Sequence, residues 1–118
     1  MDNNKFVIYH NARCSKCRAA EALLVEKVVA FEIIAYLETP PNKEILQNLL
    51  QKLGMKAEQL VRQSEAIFKA EYAGKNLSEE EWLNVLVKHP ILIERPIIVR
   101  GEKAVIGRPT EHILALFA

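Results

Sequence analysis

The sequence predicts an α/β fold built on one mixed sheet, and three observations carry this prediction. Short apolar runs typical of strands lie near both ends of the chain. Leucines at helical spacing lie between these runs. Half of the 118 residues are hydrophobic, which is enough for a real core, so we expect a single domain spanning residues 1–118.

The first third of the chain predicts a β-α-β unit. Phe6–His10 is an apolar and aromatic run typical of a strand, and residues 30–36 form a second such run. Between them we expect a helix that begins at or near Cys14. Its inner face would carry Ala20, Leu23, Leu24 and Val28. Two strands joined in this way are expected to be parallel, with a right-handed connection.

The middle of the chain, about residues 41–90, is predicted to be a helical insertion. One helix ends at Gly54, and its apolar positions follow the i, i+3, i+4, i+7 pattern at Leu46, Leu49, Leu50 and Leu53. Residues 56–63 predict another short helix. Ser78 and Glu81 fit a capping box that begins a further helix, which stops before Pro90 and buries Trp82, Val85 and Leu86.

The last third predicts a hairpin and a closing helix. Residues 96–100 and 103–106 are strands joined by a tight turn at Gly101 and Glu102. The segment 107–110 then begins a helix whose apolar residues are Ile113, Leu114, Leu116 and Phe117. The resulting order, β-α-β, helical insertion, β-β-α, is that of a thioredoxin-like fold.

Composition excludes several classes of protein. The formal net charge of +1 argues against binding nucleic acid through a basic surface. No apolar run approaches the ~20 residues of a membrane span, and the first residues lack the layout of a signal peptide. The only cysteines, Cys14 and Cys17, are too few and too close to form a disulfide scaffold. We therefore expect a cytoplasmic protein with reduced cysteines and no membrane contact.

Cys14 and Cys17 form a Cys-x-x-Cys pair between a predicted strand and a predicted helix. A helix N-terminus favours a thiolate, which is the reactive form, and Cys14 lies nearer that terminus. Cys17, one turn further in, should be less exposed. The alternatives are that both are simply small buried residues, or that they form half of a zinc site. The only histidines, His10, His89 and His112, have no ligand spacing, so we expect no metal.

Several segments resemble the glutaredoxin-dependent arsenate reductases, and they do so in collinear order over nearly the whole chain. His10-Asn11-Ala12-Arg13-Cys14 is similar to the family's His-Asn-x-x-Cys start. Residues 36–41 and the arginine at 62 match two further family segments. Residues 89–97 resemble its most recognisable segment, and Gly107-Arg108-Pro109-Thr110 resembles its last motif.

The resemblance implies a role for each matching residue. Cys14 would be the nucleophile, and His10 would help to lower its pKa. The oxyanion and its reduced product would be held by three arginines, Arg62, Arg95 and Arg108. Guanidinium forks suit such anions because they bind two oxygens at once. The Arg95–Pro96 peptide bond would be cis.

The function that the resemblance implies is reduction of arsenate to arsenite, as part of arsenic detoxification. Cys14 would form a thiol-arsenate adduct, and glutathione would be a co-substrate working with glutaredoxin or thioredoxin. No bound cofactor is implied, and we expect a monomer. Cys17 departs from the pattern of well-known members, where another residue stands, and it would be a resolving cysteine. Two alternatives stay open: an Spx-type redox-sensing transcription regulator that binds RNA polymerase, and a general thiol-disulfide oxidoreductase using both cysteines.

Overall fold

The computed structural model describes residues 5–117. It divides into two compact units, one formed by residues 5–39 and 95–117 and the other by residues 40–94. The second unit corresponds to the predicted helical insertion, with bounds a few residues wider. Across residues 5–117, no helix combines the length and the apolar character needed to cross a membrane.

The first unit contains a four-stranded sheet in the order β2-β1-β3-β4. The strands are β1 (Phe6–His10), β2 (Phe31–Ala35), β3 (Ile97–Arg100) and β4 (Lys103–Ile106). β1 and β2 are parallel, whereas β3 is antiparallel to both β1 and β4. The predicted mixed sheet, its parallel pair and its terminal hairpin are confirmed.

The core of the first unit lies between the sheet, helix α1 (Ser15–Glu26) and a closing 3-10 helix (Thr110–Phe117). Apolar side chains from all three meet there: Phe6, Ile8, Ala20, Leu24, Ile98, Ile113 and Leu116. The closing helix lies where the sequence predicts one, but its hydrogen bonding is of the tighter 3-10 type. Leu114, expected among its apolar contacts, is 45% exposed.

The buried face of α1 differs from the predicted one at its end. Val28, expected inside, is 89% exposed. The helix ends at Glu26, and Val28 adopts the left-handed region with φ of 58°. The helical period therefore no longer applies at this position. The buried face instead begins one turn earlier and consists of Cys17, Ala20 and Leu24.

The second unit is helical, as predicted. Helix α2 (Lys43–Leu53) is capped by the Asn42 side chain and ends at Gly54, which adopts the left-handed conformation with φ of 68°. α3 (Ala66–Glu71) precedes α4 (Glu79–Lys88). The predicted capping box between Ser78 and Glu81 is present at the start of α4. The Lys43 and Glu80 side chains form an ion pair within this unit.

The predicted helix over residues 56–63 is wrong in its extent, and α3 was not predicted. Only Ala57–Leu60 is helical, as a 3-10 turn, because Val61 is extended and forms a β-bridge with Ile93. The backbone N–H of Arg62 donates to the Leu92 carbonyl at 2.7 Å. This long-range pairing overrides the local helix preference.

Candidate active site

Cys14 is the N-cap residue of α1, directly after the loop that leaves β1. Its backbone is extended (φ −92°, ψ 121°), and its N–H donates to the Asn11 carbonyl at 2.9 Å. The Cys14 carbonyl accepts from the N–H of Arg18 in the first helical turn. The residue is only 8% exposed. This geometry places the sulfur at the positive end of the helix dipole.

The pKa of Cys14 is lowered from its ordinary value to about 7. Burial acts in the opposite direction and raises the pKa, but several donors outweigh it. They are the backbone N–H and the thiol of Cys17, the Arg95 guanidinium and the backbone N–H of Lys16. At neutral pH Cys14 is therefore a thiolate in about half of the molecules, and the thiolate is the form that attacks electrophiles.

Cys17 has the opposite character. It is fully buried, and burial raises its pKa to about 11. The neighbouring Cys14 sulfur contributes to this rise, whereas the Asn11 backbone and the Arg95 charge oppose it. Neither cysteine is joined in a disulfide in the structure. The expected difference in exposure between the pair is confirmed, and at neutral pH Cys17 is a thiol that donates to Cys14.

Two of the sequence-predicted arginines meet at the Cys14 sulfur. Arg108 Nη2 lies 3.5 Å from Cys14 Sγ, and Arg108 Nε donates to the Arg95 carbonyl oxygen at 2.7 Å. The Arg95 guanidinium also acts on Cys14 by a hydrogen bond. Both arginines precede a cis proline, at Pro96 and Pro109. A backbone hydrogen bond links the two segments that carry these arginines: the Gly107 N–H donates to the Pro96 carbonyl at 2.9 Å.

Arg62 lies in the second unit and is paired with carboxylates there. Its Nε is 3.4 Å from Glu65 Oε2, and its Nη1 is 3.4 Å from Glu94 Oε1. The side chain is 15% exposed. The assignment of Arg62 to the oxyanion site stays a prediction.

His10 ends β1 and is buried, with 7% of its surface exposed. Its Nε2 lies 3.0 Å from Glu21 Oε1 on α1, an ion-pair distance if the imidazole is protonated. The groups that lower the pKa of Cys14 are contributed by Cys17, Arg95 and Lys16. A helping role for His10 therefore stays a prediction.

Tyr36 is the site residue that sequence reasoning missed. It directly follows β2 and is 1% exposed, and its hydroxyl lies within electrostatic range of Arg95, Cys17 and Cys14. The signal was available, because β1 and β2 were expected to be parallel. The carboxyl ends of parallel strands meet at one edge of a sheet, so a polar residue after β2 belongs near the loop after β1.

The donor set at this site is suited to an anion. Within residues 5–117, no three His, Cys, Asp or Glu side chains are grouped closely enough to hold a metal ion. Around Cys14 the described contacts come from guanidinium groups, backbone N–H groups and a thiol. Such donors bind oxyanions and stabilise a thiolate.

Comparison with known proteins identifies a matching family. The profile described as "ArsC family" matches residues 9–116, which include the whole site described above. An uncharacterized protein of Escherichia coli, YfgD, is 47% identical over 111 residues, covering 92% of this chain and 93% of that protein. A Neisseria meningitidis protein named arsenate reductase is 40% identical over 111 residues, covering 92% of this chain and 95% of that protein.

A solved structure has the same fold. The structure titled arsenate reductase from Vibrio cholerae superposes with a TM-score of 0.91 at 40% sequence identity. The match covers 95% of this chain and 97% of that chain. The thioredoxin-like expectation from the element order is confirmed by this likeness.

Proposed function

Because the chain belongs to the ArsC family, we propose that it is an arsenate reductase whose nucleophile is Cys14. The observation that carries this proposal is the pairing of the Cys14 sulfur with the guanidinium of Arg108 at 3.5 Å, beside that of Arg95. Arsenate is a tetrahedral oxyanion, and two guanidinium groups next to a reactive sulfur both bind it and orient it for attack.

The first chemical step uses the thiolate. The Cys14 sulfur attacks arsenic(V), an As–S bond forms, and one As–O bond breaks with loss of water after proton transfer. The lowered pKa of about 7 supplies thiolate at neutral pH. Arg95 and Arg108 then neutralise the charge on the remaining oxygens throughout the step.

The electrons for reduction come from two further thiols. Glutathione would displace a second arsenic oxygen, and the thiol of glutaredoxin would then attack the glutathione sulfur. The resulting mixed disulfide carries away two oxidised sulfurs, and arsenic(V) becomes arsenic(III). Hydrolysis of the remaining As–S bond returns Cys14 as a thiol and releases arsenite. No bound cofactor takes part in this scheme.

Cys17 offers an alternative to glutathione and glutaredoxin as the thiol that reduces arsenic. Its sulfur is hydrogen-bonded to that of Cys14, and residues three apart lie on the same helix face. In this route the Cys17 sulfur would attack the Cys14 sulfur of the adduct, and the As–S bond would break with its electron pair left on arsenic, which departs as arsenite. The resulting Cys14–Cys17 disulfide would be reduced by thioredoxin or glutaredoxin. The raised pKa of about 11 disfavours this route at neutral pH because little thiolate is present.

A turnover assay tests the proposal. The full chain is incubated with arsenate, glutathione and glutaredoxin, and arsenite is measured. We expect turnover by the wild type and by Cys17→Ser, and none by Cys14→Ser. Full activity of Cys14→Ser would refute the assigned nucleophile. No turnover by the wild type, together with capture of purified RNA polymerase, would instead support a regulator.

A further inference from the structure

The Tyr36 hydroxyl is buried, and within residues 5–117 it forms no well-aligned hydrogen bond. The side chain is 1% exposed, and the polar contact that acts on its oxygen comes from the Arg95 guanidinium. Buried phenol groups are normally hydrogen-bonded, so this one calls for a physical reason. The β1–β2 register pairs His10 with Ala35, which sets Tyr36 at the sheet edge from which the Cys14 loop departs.

The charged and titratable groups that act on this hydroxyl belong to the active site. Burial raises the pKa of Tyr36 to about 12, Arg95 lowers it, and the sulfurs of Cys17 and Cys14 raise it. The Arg95 guanidinium can only donate to the phenol oxygen, so this contact leaves the hydroxyl proton without an acceptor. The hydroxyl keeps its proton at neutral pH, so it is available as a donor.

We propose that Tyr36 is a further substrate-binding residue, whose hydroxyl donates a hydrogen bond to an oxygen of the oxyanion held beside Cys14. This inference rests on the proposed function and adds a specific donor to it. The oxyanion would supply an acceptor for the hydroxyl proton, which the donating Arg95 guanidinium does not.

The other donors of the site explain why a phenol is useful here. Arg108 Nε is already bonded to the Arg95 carbonyl, and its Nη2 faces the Cys14 sulfur. These two contacts commit part of the Arg108 guanidinium to protein groups, while a tetrahedral oxyanion presents four oxygens that accept hydrogen bonds. Tyr36 adds a donor without adding charge.

The test compares Tyr36→Phe with Tyr9→Phe as a matched control. Tyr9 lies on β1. Burial and the nearby Glu32 carboxylate raise the pKa of its hydroxyl, so the charged group beside Tyr9 is Glu32 and not a residue of the active site. The measured quantity is the arsenate concentration that half-protects Cys14 of the full chain from iodoacetamide at pH 7. We expect about a tenfold increase in Tyr36→Phe and none in Tyr9→Phe. Without arsenate, the pH profile of alkylation should be the same in both variants.

An unchanged protective concentration in folded Tyr36→Phe would overturn the inference, as would a lack of protection in the wild type at millimolar arsenate. If Tyr36→Phe does not fold, wild-type protein labelled with ¹³C at the tyrosine ring carbon bearing oxygen gives a second readout. The Tyr36 resonance should move when arsenate is added and the Tyr9 resonance should not; a stationary Tyr36 resonance overturns the inference. Protection without turnover would refute the reductase and leave the Tyr36 assignment standing.

Discussion

Arg108 is joined to Cys14 by a contact of 3.5 Å between Nη2 and Sγ, although the two residues lie 94 positions apart in the chain. The same guanidinium is fixed at its other end, where Nε donates to the Arg95 carbonyl at 2.7 Å. One planar group therefore bonds a backbone carbonyl and contacts the Cys14 sulfur at the same time. A single positive charge on a flexible stem cannot make both contacts.

Arg108→Lys should consequently behave as a damaging substitution although it conserves charge. We expect the arsenate concentration giving half-maximal rate to increase about tenfold or more, because a lysine cannot keep both contacts of the guanidinium. Steady-state kinetics measure this effect. Arg13→Lys is the control, since Arg13 is an exposed residue of the loop between β1 and α1. Equal kinetics in wild type and Arg108→Lys would show that the fork geometry is irrelevant.

The reactivity of Cys14 should depend on pH with a midpoint near 7. Its pKa is about 7, so the rate of alkylation rises as pH increases through that value. Cys17 should stay unmodified below pH 9, because it is fully buried and its pKa is about 11. Mass spectrometry of iodoacetamide-treated protein identifies the modified residue. A midpoint near the ordinary thiol value would mean that the donors around Cys14 do not act on it.

The same two shifts predict how stability changes with pH. The folded-state pKa of Cys14 is depressed from 9.0 to about 7, so its contribution is present above 9 and is lost as pH falls through 7. The pKa of Cys17 is raised from 9.0 to about 11, so its contribution is present below 9 and is lost as pH rises through 11. The free energy of unfolding should therefore rise from pH 7 to 9 and fall above 9. Urea titrations under reducing conditions measure it, and a smaller pH dependence in Cys14→Ser is the expected control result.

Much of the fold could be predicted because it is encoded locally. The strand before Cys14 and the helix after it follow from short stretches of sequence, and so does the capping box at Ser78. Where long-range contacts decide the structure, the prediction was wrong: Val61 leaves the expected helix to pair with Ile93. Local sequence carries no signal for a pairing of this kind.

The site divides in the same way. The position of Cys14 at a helix start was predictable from spacing, and the greater burial of Cys17 followed from it. The meeting of Arg95 and Arg108 at one sulfur was expected only from family resemblance, since no local pattern relates them to Cys14. Tyr36 was missed because its role depends on the sheet edge it shares with the Cys14 loop.

Arg62→Ala separates substrate binding from thiolate stabilisation. Arg62 is not among the groups that set the pKa of Cys14, so the pH profile of alkylation should not change. If it binds the oxyanion, the arsenate concentration that protects Cys14 should rise about tenfold. Arg95→Ala is the comparison and should alter both quantities, because Arg95 donates to the Cys14 sulfur. Unchanged protection in Arg62→Ala would remove this residue from the oxyanion site.

A side chain at Gly107 would crowd its neighbours, because a Cβ there would lie 3.1 Å from both Pro96 Cγ and Ile98 Cδ1. Its N–H also bonds the Pro96 carbonyl, next to Arg95. Gly107→Ala should lower the free energy of unfolding by about 1–3 kcal/mol and slow the alkylation of Cys14 at pH 7. Gly54→Ala is the control: it has open space but a φ of 68°, so it should cost about 1–2 kcal/mol and leave Cys14 reactivity unchanged. Urea unfolding and alkylation rates measure both variants, and normal Cys14 reactivity in a destabilised Gly107→Ala would show that this packing does not position Arg95.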